Sequence, residues 1–134
     1  MNETKSQNQE RLNFLSGMIL DAAIAVHKEM GPGLLESVYQ ACLLKELSDR
    51  GLQVQAMAQI PLIYKGFILN KDYVIDMLVE NEIILELKAI EEILPVHEAQ
   101  IISYLKLANK RLGLLINFNV PLLKDGYKRF VNIF

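Results

Sequence analysis

The first half of the chain begins with two helical patterns of apolar residues. From Gln9 to Met30 apolar side chains recur every three or four positions, which predicts a long amphipathic helix, and Gly31-Pro32-Gly33 ends it. A second pattern of this kind runs from Leu35 to Arg50, and Gly51 is a typical C-terminal stop. The sequence therefore predicts two consecutive helices joined by a short glycine-rich break.

Strand patterns follow the helices. The segment from Leu52 to Tyr64 alternates loosely between apolar and polar residues and contains Pro61, which predicts an edge strand or a bulged strand. Lys65-Gly66 and Asn70-Lys71-Asp72 predict turns, with a short strand from Phe67 to Leu69 between them. We therefore expect short strands separated by turns in this region.

Two further apolar runs, from Tyr73 to Val79 and from Ile83 to Ala89, flank the polar triplet Glu80-Asn81-Glu82. Both runs are rich in Val, Ile and Leu, which predicts a β-hairpin with a three-residue loop. With this loop Val79 faces Ile83, and Asp76 falls directly opposite Glu86 on the same face of the sheet.

The C-terminal part contains one helix and two strands. After Leu94-Pro95 a helix is predicted from Val96 or His97 to about Asn109. The continuous apolar run from Leu112 to Phe118 is typical of a strand buried on both faces. A loop from Val120 to Gly126 and a final strand from Lys128 to Phe134 complete a mixed α/β fold, in which helices cover at least one face of a sheet.

Three charged residues, Asp76, Glu86 and Lys88, interrupt the apolar runs of the hairpin. Lys88 is two residues beyond Glu86 and shares its face, whereas a two-residue loop would turn Glu86 to the other face. Two carboxylates that lie opposite each other repel, and half-buried charges are costly unless they are compensated. A divalent cation with a lysine beside it would compensate both carboxylates.

The same three residues suit phosphodiester hydrolysis. Carboxylate oxygens from Asp76 and Glu86 are ligands for Mg²⁺ or Mn²⁺, and the backbone carbonyl of Leu87 offers a third oxygen. Lys88 could orient or help deprotonate a water, or stabilise the transition state. A Glu-x-Lys triplet alone is a weak signal because it occurs by chance in many surface strands. Here it lies in an apolar strand opposite an aspartate, which strengthens the hypothesis.

Composition indicates one domain, residues 1–134, in which residues 1–8 are disordered. Hydrophobic residues make up 51% of the chain and its mean hydropathy is +0.20, so we expect that a homodimer buries part of the surface. No apolar run approaches the roughly 20 residues of a membrane span. The polar N-terminus has no signal-peptide pattern, which favours a cytoplasmic protein without membrane contact. The single Cys42 allows no internal disulfide or cysteine zinc site.

The net charge of −2 argues weakly against a nucleic-acid binder, but charge is distributed unevenly. Residues 1–96 carry 8 Lys or Arg against 14 Asp or Glu, a balance of −6, and residues 97–134 carry 6 against 2, a balance of +4. The basic residues of the second part could form a rim for a polyanion, and solvated surface charges are an equal alternative. They are Lys106, Lys110, Arg111, Lys124, Lys128 and Arg129.

The helices supply further candidates. Glu36 lies in the first turn of the second helix, where stabilisation of the helix dipole is the alternative role. Gln100 and Tyr104 are spaced i, i+4 and share a face with His97, and such a polar face is usually just exposed to solvent. His27 on the first helix is interpreted as a packing or surface histidine, with a metal or phosphate role as the alternative.

These residues match a known family. The stretch Gly33-Leu34-Leu35-Glu36-Ser37-Val38-Tyr39 resembles the Gly-x-x-Glu-x-x-Tyr signature of the GxxExxY family, which belongs to the PD-(D/E)XK nuclease superfamily. The resemblance covers nearly the whole chain and implies a restriction-endonuclease-like core with a mixed central sheet flanked by helices. The blocks that resemble the family are VHKEMGPGLLESVY, YVIDMLVENEIILELKA, LPVHEAQIISYLKL, RLGLLINF and PLLKDGYKR.

The superfamily pattern implies roles for the acidic residues. Glu36 resembles the helix-borne acid of the first motif, Asp76 the metal-binding aspartate, and Glu86 with Lys88 the (D/E)XK pair. Ile75 stands where the pattern has a proline, which is commonly absent in this superfamily. The metal ligands that the resemblance implies for Mg²⁺ or Mn²⁺ are Asp76, Glu86, Leu87 and Glu36.

Gln100 and Tyr104 resemble the Gln-x-x-x-Tyr motif of the RecB-like branch, which is implicated in DNA contact and support of the active site. The resemblance thus favours a metal-dependent nuclease that acts on nucleic acid, with DNA as the expected substrate. A non-catalytic module that binds nucleic acid or a protein partner is the main alternative, motivated by the small size and acidic net charge. An apolar dimer with a structural role is the third hypothesis. The charged set favours catalysis, because apolar replacements would relieve the cost of desolvating these charges.

Overall fold

The computed structural model describes residues 4–132, within which three helices and five strands are found. None of these helices is long and apolar enough to cross a lipid bilayer. A short 3₁₀ turn, Leu123–Gly126, lies in the predicted loop before the last strand. The elements are α1 (Lys5–Met30), α2 (Glu36–Asp49), β1 (Val54–Tyr64), β2 (Phe67–Val79), β3 (Ile83–Lys88), α3 (Pro95–Ala108), β4 (Leu112–Asn117) and β5 (Tyr127–Val131).

The strands form one mixed sheet in the order β1-β2-β3-β4-β5. Neighbouring strands are antiparallel except β3 and β4, which run parallel with Ile83 beside Leu112 and Lys88 beside Asn117. Parallel neighbours need a crossover connection, and α3 provides it between β3 and β4. The predicted mixed sheet flanked by helices is thus confirmed.

Apolar side chains are buried on both faces of the sheet. On one face, α1 and α2 pack over a core that includes Leu85 and Leu114. On the other face, Ile84 and Leu115 cluster with Ile101 of α3. Because β3 and β4 are covered on both sides, β4 is an apolar run up to Ile116 and β3 is apolar except for Glu86 and Lys88, as expected for central parallel strands.

Both ends of the chain differ from the predicted elements. α1 starts at Lys5 because Thr4 and Gln7 form a capping box, in which the Thr4 hydroxyl accepts from Gln7 N at 3.1 Å and the Gln7 amide oxygen accepts from Thr4 N at 3.0 Å. Residues 5–8, predicted to be disordered, are therefore helical, and residues 1–3 lie outside the described range. The predicted last strand, Lys128 to Phe134, is β5, and residues 133 and 134 also lie outside this range.

β1 and β2 form a longer hairpin than predicted. Asn70 and Lys71 belong to β2 rather than to a turn, and Asp72 pairs with Pro61. Polar residues are tolerated in this part of the strand because residues 63–72 are all exposed to solvent. The predicted bulge is present as a register shift between Pro61 and Ile63. We call residues 61–72 the arm.

Candidate active site

The hairpin of β2 and β3 brings two carboxylates together near the end of its ladder. Val79 pairs with Ile83, which confirms the predicted three-residue loop, and the ladder ends two pairs further along. In the same register, Asp76 and Glu86 are the next pair. The two carboxyl groups therefore lie where the backbones of β2 and β3 stop exchanging ladder hydrogen bonds.

Beyond the end of the ladder, the side chain of Asp76 takes the place of a backbone carbonyl of β2. Its Oδ2 accepts a hydrogen bond from Leu87 N of β3 at 2.8 Å. The β1–β2 ladder is distorted at this position: Met57 of β1, between the two pairs that flank Asp76, has a φ of 52°. Ile75 packs with the α3 side of the core, whereas Met77 packs with the α1 and α2 side. Residues two apart share a face in a regular strand, so the alternation changes at Asp76. Irregularities of this kind re-aim a side chain.

Glu86 is almost completely buried, with 4% of its surface exposed. Its Oε1 atom is buried and has no hydrogen-bond partner among the described residues. The pKa of Glu86 is raised to about 9, first by burial and then by the negative charge of Asp76 and a hydrogen bond with its carboxyl group, whereas Lys88 opposes the rise. Glu86 is therefore protonated at neutral pH when no cation is bound.

Glu36, the first residue of α2, lies beside this pair. Its pKa is raised first by burial and then by Asp76, and Lys88 lowers it, so all of these groups are within electrostatic range. However, within residues 4–132 no three His, Cys, Asp or Glu side chains are close enough to hold one metal ion. Glu36 therefore does not join Asp76 and Glu86 in one such cluster in this structure. The reason is that α2 covers one face of the sheet, whereas Glu86 alternates with Leu85 and faces the α3 side.

α3 brings two predicted site residues to the carboxylates. Gln100 Nε2 donates a hydrogen bond to the Tyr104 hydroxyl at 3.1 Å. The pKa of Tyr104 is raised first by burial and then by the negative charges of Glu86 and Asp76, which locates its hydroxyl near the carboxylate pair. The polar face of α3 is thus directed partly at this site and is not only a solvated surface.

Sequence reasoning missed Tyr73, which stacks on Tyr104 with ring centroids 5.2 Å apart and planes 18° from parallel. The Tyr73 hydroxyl is buried and has no hydrogen-bond partner among residues 4–132. Its pKa is raised to about 12, first by burial and then by Tyr104. Only its place three residues before Asp76 could have indicated it, because an aromatic residue in a strand is usually an ordinary core residue.

A family model of the PD-(D/E)XK nuclease superfamily matches residues 13–130. The chain belongs to this superfamily. Comparisons with curated proteins and with solved structures gave no significant match. Asp76 and the Glu86-Leu87-Lys88 triplet fit the D and (D/E)XK letters of the superfamily name, and Ile75 occupies the position of the proline.

In this PD-(D/E)XK chain a buried tyrosine fixes the loop that leads to Glu36. The Tyr39 hydroxyl donates to the Gly31 carbonyl at 2.5 Å and accepts from Leu34 N at 3.1 Å. Its ring stacks on Phe118, with centroids 4.5 Å apart and planes 7° from parallel. Residues 31–34 are therefore held against the core, and this sets where α2 begins.

Replacing Tyr39 by Phe tests this role. The change removes both hydrogen bonds but keeps the ring, so we expect the free energy of unfolding to fall by about 1–3 kcal/mol in urea titrations. Tyr64→Phe is the matched control, since Tyr64 is exposed on the arm. Equal stability of the two variants would contradict the assigned role of Tyr39.

The two histidines of this PD-(D/E)XK protein have structural partners. His27 is buried, and its Nε2 lies 2.8 Å from the carbonyl oxygen of Val120, to which it must donate. His97 Nδ1 accepts a hydrogen bond from Leu94 N at 2.9 Å, at the start of α3. These contacts support the packing interpretation of His27 and give His97 a helix-capping role.

Three basic residues of the C-terminal part lie apart from one another. Lys128 Nζ pairs with Glu98 at 2.7 Å on the α3 side. Arg129 donates to Asn13 and Ser16 of α1, on the other side. Lys124 lines a different cavity beside α1. Lys124, Lys128 and Arg129 therefore occupy separate positions, which fits the alternative of solvated surface charges for these three residues.

Proposed function

We propose that this PD-(D/E)XK protein is a Mg²⁺- or Mn²⁺-dependent nuclease that hydrolyses phosphodiester bonds, with DNA as its substrate. The observation that carries the proposal is the buried, unpartnered Oε1 of Glu86 beside Asp76. A buried carboxyl oxygen without a donor is costly, and such a group in a native fold calls for an ion or ligand. A divalent cation would supply the missing partner.

The donor set fits a hard cation. Mg²⁺ is commonly held by one or two carboxylates, with waters and substrate phosphate oxygens completing its shell. Asp76 and Glu86 would provide the carboxylates, and the carbonyl of Leu87 a further oxygen. When bound, the ion would neutralise charge on the phosphate and lower the pKa of a water.

Other residues of the chain would then act around the scissile phosphate. Lys88 lies within electrostatic range of the carboxylates, where its ammonium group can stabilise negative charge that develops in the transition state. Glu36 lies within range of Lys88 and can hold that ammonium group or a water in position. Gln100 and Tyr104 are suited to contact the DNA backbone from α3.

Two finer assignments belong to the same proposal. The link from Tyr39 to Gly31 and Leu34 gives a physical reason for the Gly-x-x-Glu-x-x-Tyr spacing and supports membership of the GxxExxY family. The bond from Gln100 to Tyr104 beside the carboxylates supports a relation to the RecB-like branch. A cytoplasmic location and a single domain over residues 1–134 remain predictions from the sequence.

Cleavage assays test the proposed activity. Purified protein is incubated with end-labelled single-stranded DNA, duplex DNA and RNA in Mn²⁺ or Mg²⁺, with parallel samples in EDTA. We expect cleavage of DNA that requires the metal. Absence of cleavage on all three substrates, or equal cleavage in EDTA, would refute the proposal.

The dispersed positive charge favours one alternative, a non-catalytic module that binds a protein or nucleic acid. Several basic residues are already engaged within the fold: Lys128 by Glu98, and Lys110 by the Asn81 carbonyl at 2.8 Å. Titration calorimetry separates the two hypotheses. Binding of Mn²⁺ supports the nuclease, whereas tight DNA or protein binding without any metal binding supports the module.

We also propose that the arm joins two copies of the chain. Both faces of this two-stranded ribbon are apolar: Ile63 pairs with Ile68 on one face, and Tyr64 with Phe67 on the other. Ile68 is 75% exposed, and Lys65, Lys71 and Asp72 give the arm a net charge of only +1, so repulsion between two arms is weak. A two-stranded ribbon is marginally stable on its own, which favours a partner that covers it.

Light scattering after size-exclusion chromatography tests this contact. The wild-type chain is expected to elute as a dimer, and the double variant Ile63→Ser/Ile68→Ser as a monomer with unchanged circular dichroism. Phe14→Ser is the control, because Phe14 is a similarly exposed apolar residue on α1. A monomeric wild-type protein, or a dimer that survives the double variant, would rule out the arm contact.

A further inference from the structure

A groove on the α1 side of the sheet has no role in the function proposed above. It has a volume of about 420 Å³ and lies between the loop after α1 and the loop after β4. Pro32 contributes to one wall and Leu122 to the other, and Ile24 and His27 of α1 also line it. Its size is within the range of roughly 300–1,000 Å³ that is usual for ligand sites.

The groove is at the same end of the sheet as the carboxylates. Lys88 pairs with Asn117 at the end of the parallel strands, and Phe118 N donates a hydrogen bond to the Lys88 carbonyl at 2.9 Å. The chain enters one wall of the groove within a few residues of this bond. The opposite wall, residues 31–32, continues directly to Glu36. Both walls of the groove are therefore joined, within a few residues of chain, to elements that carry proposed site residues: the end of β3 and the start of α2.

The charges of the groove favour an anion. Lys28 and Lys124 line it, and no Asp or Glu is among the described residues of its lining. Both lysine side chains are exposed, and within residues 4–132 neither has a hydrogen-bond or ion-pair partner. The remaining walls are mainly apolar and suit a flat, uncharged group more than a second charge.

Both walls are held in place before any ligand binds. The Tyr39 hydroxyl anchors the loop of residues 31–34, and the His27 ring donates to the Val120 carbonyl at 2.8 Å. Gly126 packs so closely on the second loop that an added Cβ would lie 2.0 Å from the Asn117 carbonyl oxygen. A groove with fixed walls loses little conformational entropy when a ligand enters.

We propose that this groove binds an unpaired nucleotide next to the scissile phosphate, so that the substrate is single-stranded, or frayed, at this position. The proposal rests on the nuclease function above and specifies its substrate. The base would contact the apolar walls, and Lys28 and Lys124 would contact the flanking phosphates. A base can enter such a groove only when it is unstacked from its neighbours, whereas a continuous duplex offers only its phosphates.

Binding without metal tests the groove separately from cleavage. The probes are a fluorescein-labelled dT₁₂ strand and a blunt duplex of the same length, both in EDTA, measured by fluorescence anisotropy at several salt concentrations. We expect wild-type protein to bind the single strand about fivefold more tightly than the duplex, or better. The salt slope is the decrease in log affinity per unit increase in log salt concentration. Each phosphate contact to a single strand contributes about 0.7 to it, so the double variant Lys28→Gln/Lys124→Gln should lower the slope by about 1.4.

Two further variants complete the test. Leu122→Ser should weaken single-strand binding without changing the salt slope, and Leu122 is exposed enough for the fold to tolerate the change. Lys5→Gln/Lys45→Gln is the control for charge, since both lysines are exposed and lie outside the groove and the arm. Equal affinity for strand and duplex, or equal effects of the two double lysine variants, would overturn the groove proposal even if the protein cleaves DNA. If the groove binds the strand as expected but no cleavage occurs, only the nuclease proposal fails.

Discussion

Replacing Asp76 by Asn is expected to abolish metal-dependent cleavage while leaving the fold intact. Asparagine keeps the size of the side chain and an oxygen that can accept the hydrogen bond from Leu87 N. It removes the negative charge that would hold the ion together with Glu86. We expect the single-turnover cleavage rate in saturating Mn²⁺ to fall roughly a thousandfold or more.

Asp76→Asn is a sharper test than Asp76→Ala, because alanine would also leave Leu87 N without its partner and confuse activity with stability. Asp72→Asn is the matched control: it makes the same chemical change on the same strand, at an exposed position of the arm. The control should cleave at the wild-type rate. Cleavage by Asp76→Asn at a rate within a few-fold of wild type would exclude Asp76 from the reaction.

The elements of the fold that depend on local pattern could be predicted from the sequence. The loop of residues 80–82 follows from a polar triplet between two apolar runs, and the pairing of Val79 with Ile83 follows from its length. The early start of α1 also has a local signal, since Thr4-x-x-Gln7 is a capping-box pattern. Apolar periodicity does not indicate this early start, because the first turn of α1 is polar.

The strands of the arm on either side of Lys65-Gly66 could be predicted from local pattern, but residues 70–72 could not. Asn70, Lys71 and Asp72 have the composition of a turn, and their strand conformation comes from pairing with residues of β1 far from them in the sequence. Exposure on both faces also removes the alternation that would have identified a strand. Only the long-range partner reveals the element.

The candidate site also contains residues that local sequence brings together and residues that depend on tertiary packing. Asp76, Glu86 and Lys88 belong to one hairpin, so strand register alone brings them together. Glu36 depends on where α2 packs, which the stacking of Tyr39 on Phe118 sets and no local pattern reveals. The resemblance to the superfamily grouped Glu36 with the metal ligands, whereas within residues 4–132 the three carboxyl groups do not form one metal-binding cluster.

Glu86→Gln is expected to stabilise the metal-free protein and to prevent metal binding. In the folded protein the pKa of Glu86 is about 9, against 4.5 for the unperturbed group. Between these two pH values the unfolded chain has lost a proton that the folded chain retains. The free energy of unfolding of the wild-type protein should therefore fall as pH rises from 4.5 to 9, by up to about 1.4 kcal/mol per pH unit from this group.

A glutamine side chain cannot ionise, so the Glu86→Gln variant lacks this fall. It should be more stable than wild type at about pH 8, and nearly equal to it at about pH 4.5. Guanidinium titrations at about pH 5, 7 and 9 measure the difference. Glu10→Gln, an exposed change of the same kind on α1, is the control and should follow the wild-type curve. A variant that is less stable than wild type in the alkaline titrations would mean that the Glu86 carboxylate stabilises the fold by itself.

The proton of Glu86 should also affect metal binding, but in the opposite direction: a higher pH lowers the stability of the metal-free protein and raises its affinity for the metal. A carboxylate must ionise before it can hold a cation, so binding of Mn²⁺ by the wild type should release about one proton below about pH 9 and tighten up to about tenfold per pH unit. Titration calorimetry in two buffers of different ionisation enthalpy measures the released proton. Glu86→Gln should bind weakly and release none. Wild-type binding without proton release would place the ion away from Glu86. Release of a proton, lost in Glu86→Gln, would instead show that the cation binds the ionised carboxylate of Glu86.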